Sequence, residues 1–371
     1  MTVPHTPQML RIAYQRIADQ RLASQGISRR RFAFPVDAVR GLVAIQGQDY
    51  PGAKWSIGLR VPGSTDDQIE QAVADQQIIR TWLMRGTLHL AAPQDVPWLL
   101  DLLAPRQIEG YARRYKELEL DEVTLHRSSA LFVKALEKEP MLTRSDLRAV
   151  LEENGISGEG QRTPHMLHHA SMRQLIWQGG MIGNDATFRL FNPPPDSITR
   201  TRDEALAELA LRYFTSRGPA TLADYIGWSG LTAGDARAGL QAVESQLEQD
   251  SIDGQTYYFA SVSDTSDVQP DPSPTAYALP GFDEYILGYK NRDTVLDPQF
   301  AERICPGKNG IFYPTIVIDG RVVGTWKRTI KKKNILVEVS PFATLTDSDM
   351  QAFAVAVQRY GDYHGKPVEL I

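Results

Sequence analysis

A chain of 371 residues, 42% hydrophobic and 23% charged, has the composition of an ordinary globular protein and room for two to four small domains. Its net charge of −5 excludes a uniformly basic nucleic-acid wrapper, and its one cysteine, Cys305, excludes an internal disulfide or a multi-cysteine metal site. No apolar run approaches the ~20 residues that cross a bilayer, so no membrane partner is expected.

The first residues lack the charged-then-apolar layout of a signal peptide, and a cytoplasmic location is expected. Helices are predicted near 8–22, 36–46 and 66–76. The hairpin IIRTWLMRGTLHLAA follows, turning near Arg85-Gly86. In the second of these helices Val36, Val39 and Val43 form an apolar stripe that Gln46 continues. Gly47 is then expected to close the helix in a left-handed cap. Gln48 and Asp49 would project from that cap ahead of a turn at Tyr50-Pro51-Gly52. On residues alone, Gln46 reads as an amide that satisfies backbone groups of the following hairpin.

The next segment repeats the order of helices and hairpin. A helix covers about 129–138, and Thr143-Arg-Ser-Asp146 caps another, ending at Gly155. Thr163-Pro164 opens a third helix, which Gly179-Gly180 is expected to stop, and MIGNDATFRLF forms a hairpin. That third helix carries His165, His168, His169 and Arg173. His165 and His169 share a face, but no acid or cysteine completes a metal site; phosphate contact or plain surface remain the readings. After the linker NPPPDS at 192–197, the order returns a third time. A helix from about 203 to 216 is followed by helices capped at Thr221 and Thr232 and a hairpin around Asp253-Gly254.

A proline- and serine-rich linker is predicted at 263–275. Beyond it lie a strand pair around Asp319-Gly320, the strand NILVEVSPF and a closing helix from about 347 to 360. Asp283 and Glu284 look like a carboxylate pair for acid–base work, yet adjacent residues on a strand diverge, and they read as partners for arginines. The fold class expected is α+β: three tandem winged helix-turn-helix units (1–127, 128–197 and 198–265) and a C-terminal β-rich domain (276–371).

Basic residues are clustered: Arg29–Arg31, Arg106 with Arg113, Arg114 and Lys116, and the acid-free run 321–333 with Lys327, Arg328, Lys331, Lys332 and Lys333. Each reads as solvated surface or as phosphate contact. Three winged helices on one chain could wrap double-stranded DNA without a second copy, and a monomer is expected.

Four stretches together carry a resemblance: LVAIQGQDYPGAKWSIGLR, RTWLMRGTLHL, LPGFDEYILGYKNR and TIVIDGRVVGTWKR. The chain resembles the winged-helix DNA glycosylases of the AlkZ and YcaQ type over nearly its whole length. The resemblance implies excision of N7-alkylated guanines, in some members with unhooking of interstrand crosslinks, in DNA repair or in resistance to an alkylating toxin. It implies a catalytic Gln–aliphatic–Gln motif, matched here by Gln46 and Gln48 with glycine between them; Asp49 lies one position late for the Gln–aliphatic–Asp form. Asp49, Tyr50, Trp55, Arg85, His89, Arg173, Lys327, Arg328 and Lys331–Lys333 are the expected lesion or DNA contacts. No metal or organic cofactor is implied, and binding to DNA implies association with the nucleoid. The rival reading is a non-catalytic winged-helix DNA-binding protein or regulator.

Overall fold

The computed structural model describes residues 6–261 and 275–371. The predicted linker at 263–275 lies outside the described residues, apart from Thr275. Two compact units divide the chain: Glu70–Ala205 forms one, and the chain up to Ile69 together with Leu206–Ile371 forms the other. Among the described residues no helix is long and apolar enough to cross a membrane.

The discontinuous unit begins with α1 (Pro7–Ser24), α2 (Pro35–Gly41), the short strand β1 (Ala44–Gln46) and α3 (Tyr50–Arg60). Two expectations are corrected here. The helix predicted to reach Gln46 ends at Gly41, and the left-handed residue that breaks it is Val43, with φ 65°. Gln46 therefore lies on a strand. The expected turn at Tyr50-Pro51-Gly52 is instead the first turn of α3, where a proline fits because the amide it lacks would have no intrahelical acceptor. Alternation of apolar and polar residues was too weak over three residues to reveal β1 in advance.

The continuous unit begins within α4 (Asp66–Ala74) and holds β2 (Ile79–Trp82), β3 (Leu88–Ala91), α5 (Val96–Gly110), α6 (Ala112–Glu117) and α7 (Glu122–Lys138). Then come β4 (Leu142–Thr143), α8 (Arg144–Glu153), α9 (Arg162–Met172), β5 (Ile176–Ile182) and β6 (Asp185–Leu190). Strands β3, β2, β5, β6 and β4 lie side by side in that order. Phe132, Leu147, Leu151, Met166, Leu167 and Phe188 meet in its core. The capping box at Thr143 and Asp146 forms as its spacing requires. Gly179-Gly180 does not end α9, which stops at Met172, with Gln174 left-handed at φ 58°. Those glycines fall in β5, where the register with β6 shifts between Gln178 and Met181. A β-carbon on Gly179 would stand 2.7 Å from Thr187 Oγ1, so a larger residue at the bulge would push that hydroxyl aside.

The chain re-enters the first unit through α10 (Arg202–Arg217), α11 (Leu222–Ser229), α12 (Ala233–Val243) and the hairpin β7 (Glu248–Ile252) and β8 (Gln255–Phe259). Thr221 and Thr232 cap their helices as expected. After β9 (Ala276–Leu279) come α13 (Glu284–Leu287), α14 (Ala301–Ile304), β10 (Thr315–Ile318), β11 (Arg321–Ile330), β12 (Ile335–Pro341), α15 (Asp347–Tyr363) and β13 (Val368–Leu370). The C-terminal sheet runs β13-β12-β11-β10-β9. Beneath it Leu22, Leu279, Tyr285, Val295 and Val317 form a core to which the N-terminal helix contributes.

Candidate active site

Gln46 ends β1, and three residues separate it from the start of α3. It is 7% exposed, Gly47 is buried, and Gln48 is exposed. The two glutamines thus differ in surroundings although one residue separates them: Gln46 belongs to the wall and Gln48 to the rim.

What holds the wall is a buried ion pair. Arg217 Nη2 lies 2.7 Å from Glu284 Oε2, with both side chains sealed from solvent. Glu284 Oε1 accepts the backbone amide of Gln46 at 3.0 Å, and Glu284 Oε2 accepts the indole N–H of Trp228 at 3.0 Å. Arg217 also donates to the carbonyls of Leu42 at 2.8 Å and Ala44 at 3.1 Å. Its guanidinium carbon sits 4.3 Å from the centre of the Trp228 ring. The strand that carries Gln46 is therefore gripped on both its carbonyl and amide sides by one charge pair. A buried pair survives only if its remaining hydrogen-bonding capacity is met, and here backbone groups of the glutamine strand meet it.

Asp283 has a separate partner. Arg60 donates to both of its oxygens, at 2.9 and 3.0 Å, and Ser56 Oγ donates at 2.7 Å. Burial pushes the Asp283 carboxyl up, but the Arg60 charge and the hydrogen bonds from Arg60, Ser56 and the Tyr285 amide together hold it below the usual carboxylate range. The two carboxylates are arginine partners, as expected, but they lie at the start of the short helix α13, with Asp283 as its cap, and not on the strand that the expectation assumed.

On the rim, Asp49 precedes α3 and pairs with Arg328 of β11 at 3.3 Å. A β-carbon on Gly52 would come 2.4 Å from Asp49 Oδ2, so glycine leaves the carboxylate room to lie over the first turn. Tyr50 is buried at the start of α3, with the Lys54 ammonium 5.3 Å from its ring centre. Lys54 Nζ pairs with Asp66 at 2.9 Å, and Tyr363 donates to the other oxygen of Asp66 at 3.2 Å.

Lys327 is exposed and faces Glu338 at 3.4 Å. Lys331, Lys332 and Lys333 form the exposed turn between β11 and β12. The Asp49–Arg328 pair thus joins the glutamine loop to the strand that leads into this lysine turn.

Two expected contacts are corrected by burial. Trp55 is 2% exposed, donates its indole N–H to the Ala278 carbonyl at 2.8 Å, and packs 5.0 Å from both Tyr360 and Tyr363; it is core and has no face for a base. His89 is fully buried in β3, with Nδ1 2.8 Å from the Thr87 carbonyl. A carbonyl only accepts, so Nδ1 carries the proton, and the ring does not reach a phosphate on the surface. Arg85, left-handed at φ 57° in the turn before β3, and Arg173, past the end of α9, are exposed in the continuous unit.

The histidines of α9 pack against aromatic rings. His168 lies 4.5 Å from Tyr111 and 5.5 Å from Trp82, and His169 lies 6.1 Å from Tyr115. Burial, with His165 and His169 nearby, lowers the His168 pKa to about 3. Burial, with Arg173 and His126, lowers that of His169 to about 4. Both are neutral rings, and among the described residues no group of three or more His, Cys, Asp or Glu could hold a metal ion.

Reading the sequence alone missed Arg217, Glu284's grip on Gln46, and Trp228. The only signal was a charged residue inside an otherwise ordinary helix end, too common to single out.

The family model described as DNA glycosylase AlkZ-like matches residues 39–363. The interstrand DNA cross-link repair glycosylase of Streptomyces sahachiroi is 26% identical over 338 residues, which cover 86% of this chain and 88% of that protein. The solved structure of Streptomyces sahachiroi DNA glycosylase AlkZ has a TM-score of 0.77 to this one, covering 96% of this chain and 99% of its own, at 23% identity. That likeness bears on the fold: a mixed α and β chain with a C-terminal sheet. With the match spanning the glutamine loop, its buried support and the basic hairpin, the chain belongs to the AlkZ-like DNA glycosylase family.

Proposed function

We propose that this DNA glycosylase is monofunctional and hydrolyses the N-glycosidic bond of cationic N7-alkylated purines in duplex DNA, including purines joined in interstrand crosslinks. The observation that carries the reading is the junction of β1 and α3, where Gln46 is fixed by the Arg217–Glu284 pair and Gln48 stands exposed two residues on.

The chemistry needs no general acid. An N7-alkylated purine is already positive and departs as a neutral base. The sugar then becomes oxocarbenium-like, and water must be held against C1′. Amide oxygens can orient that water and their dipoles favour the developing positive charge, while the proton that the water sheds on bonding to C1′ passes to solvent. Gln46 and Gln48 are assigned that role, and Asp49, held by Arg328, stands on the same rim. The loss of a full base is tolerable when the leaving group is this good. Lys54, the lysine nearest the motif in sequence, is buried in its pair with Asp66, which supports hydrolysis by water over attack by an amine.

We further infer three winged helix-turn-helix units at 1–127, 128–197 and 198–265, followed by a β-rich domain at 276–371. The order α10-α11-α12 then β7-β8, and α7-α8-α9 then β5-β6, supports two of them. The first is looser: its hairpin β2-β3 clusters with the second segment. The exposed Arg85, Arg173 and Lys331–Lys333 suit backbone phosphates, and a monomer suffices.

The burial of Gln46 favours the rival reading, a DNA-binding protein whose glutamines are structural. Release of 7-methylguanine from a duplex separates the two. Gln46→Ala and Gln48→Ala are each expected to slow single-turnover release by about 10²-fold, the scale of losing one positioned dipole, with duplex affinity kept. Uracil, a neutral base, is expected to stay in place. Wild type that releases no 7-methylguanine and no bulkier N7 adduct, or variants as active as wild type, would remove this reading.

A further inference from the structure

At the end of α3 remote from Gln48 lies a cavity of about 500 Å³ that the function above does not use. Trp55, Tyr277 and Tyr363 line its floor, and Arg29, Arg30 and Arg359 line its mouth. Asp362 is the one carboxylate among the described lining residues. Arg29 and Arg30 come from the loop after α1, and Arg359 from α15, so separate elements converge three cations on one opening. Neither Arg30 nor Arg359 has a hydrogen-bond or ion-pair partner among the described residues. Elsewhere in the same unit arginines are engaged: Arg21, Arg60, Arg217 and Arg328 each meet a carboxylate. Three cations against the single carboxylate of Asp362 leave the lining with an excess of positive charge, and an oxyanion from outside offsets it. The planar guanidinium fork suits phosphate oxygens in particular.

The family's substrate is DNA, and the oxyanion that DNA presents is the backbone phosphate. Helix α3 has eleven residues, so its two ends are about 16 Å apart at 1.5 Å per residue. For a strand of B-DNA that ran along α3, that would be roughly five phosphates at 3.4 Å each. The floor of the cavity also connects with the glutamine loop: Trp55 packs on Tyr360, the guanidinium of Arg328 lies 5.9 Å from the Tyr360 ring centre, and Arg328 holds Asp49.

We propose that this cavity is a phosphate-binding site for the DNA strand several nucleotides away from the lesion, with Arg29, Arg30 and Arg359 as its ligands. The inference rests on the reading of the chain as an enzyme acting on duplex DNA. It gives a use to the Arg29–Arg31 cluster, in which Arg31 is turned instead to the Ser24 carbonyl.

The test is a salt titration of duplex affinity with wild type and R30Q/R359Q, beside single-turnover release of 7-methylguanine at saturating enzyme. One phosphate contact contributes about 0.9 to the slope of log affinity against log salt. The variant is expected to show a slope shallower by about 1 to 2 on that basis, with the rate of release at saturation unchanged. Shortening the duplex on one side of the lesion should weaken wild type toward the variant and leave the variant unaffected. Identical slopes for the two proteins overturn the proposal, even if inorganic phosphate alone binds wild type at the cavity, since a free anion is then its ligand. Shallower binding by the variant with no base release by either protein would keep this site and remove the glycosylase chemistry. Base release with identical slopes would do the reverse.

Discussion

Glu284 shows how one buried side chain carries two burdens. It neutralises Arg217, and it accepts the amide of Gln46. Glu284→Gln keeps the shape and removes the charge, leaving a guanidinium sealed from water. A loss of about 3–5 kcal/mol is expected, measured by urea denaturation. Replacing both partners with apolar residues, Arg217→Met with Glu284→Leu, should recover much of that loss. Base release should stay low in the double variant, because the Gln46 amide has lost its acceptor; full recovery of rate would mean the pair is only structural. His168 and His169 give a second residue-scale expectation. Their pKa values lie at about 3 and about 4 in the folded chain, against about 6.5 unfolded. Between those limits the unfolded state binds the extra protons. Stability therefore rises with pH across that window and is complete above about 6.5. Thermal melts from pH 4.5 to 7.5 should show this slope, and His168→Leu should flatten it.

Among the elements, the β11–β12 hairpin carries a cluster of charge that the proposed function uses. Its turn puts Lys331, Lys332 and Lys333 in solvent, and Arg328 on the same strand is held back at Asp49. Replacing the three lysines with alanine should lower duplex affinity and make its salt dependence shallower, by up to about 0.9 per lost phosphate contact, while Arg328→Ala should act on the rate of base release. Equal effects of both on rate would argue against that division. The same scale shows what could be read in advance. Capping boxes at Thr143 and Thr221, and glycine turns at Gly183 and Gly254, are local, and residues three apart are enough to reveal them. The helix α3 and the strand β1 were misread because their identity is not local. Val43 adopts an unfavourable left-handed conformation since Arg217, 174 positions away in the chain, binds the carbonyls on either side. Trp55 and His89 were misread for a related reason: a sequence shows an aromatic ring or an imidazole, but only packing decides whether it has a free face.

At the scale of the whole molecule, the resemblance made the family and the glutamine pair legible, while the support of that pair was not. The contacts that fix the glutamine loop bridge long stretches of chain: Gln46 to Glu284, Ala44 to Arg217, Asp49 to Arg328. No short pattern records a partner so distant, and arginine and glutamate are too common for pairs to be guessed. One consequence concerns the order in which the ribosome delivers the parts. The unit Glu70–Ala205 is continuous and complete once its own residues have emerged, whereas the strand bearing Gln46, made earlier, waits for Arg217, Glu284 and Arg328. Domains tend to fold as units during synthesis. A nascent chain halted after residue 205 would thus hold one folded unit and an unassembled glutamine loop, so that on the proposed reading the capacity to cut a base from DNA arrives only with the last third of the polypeptide.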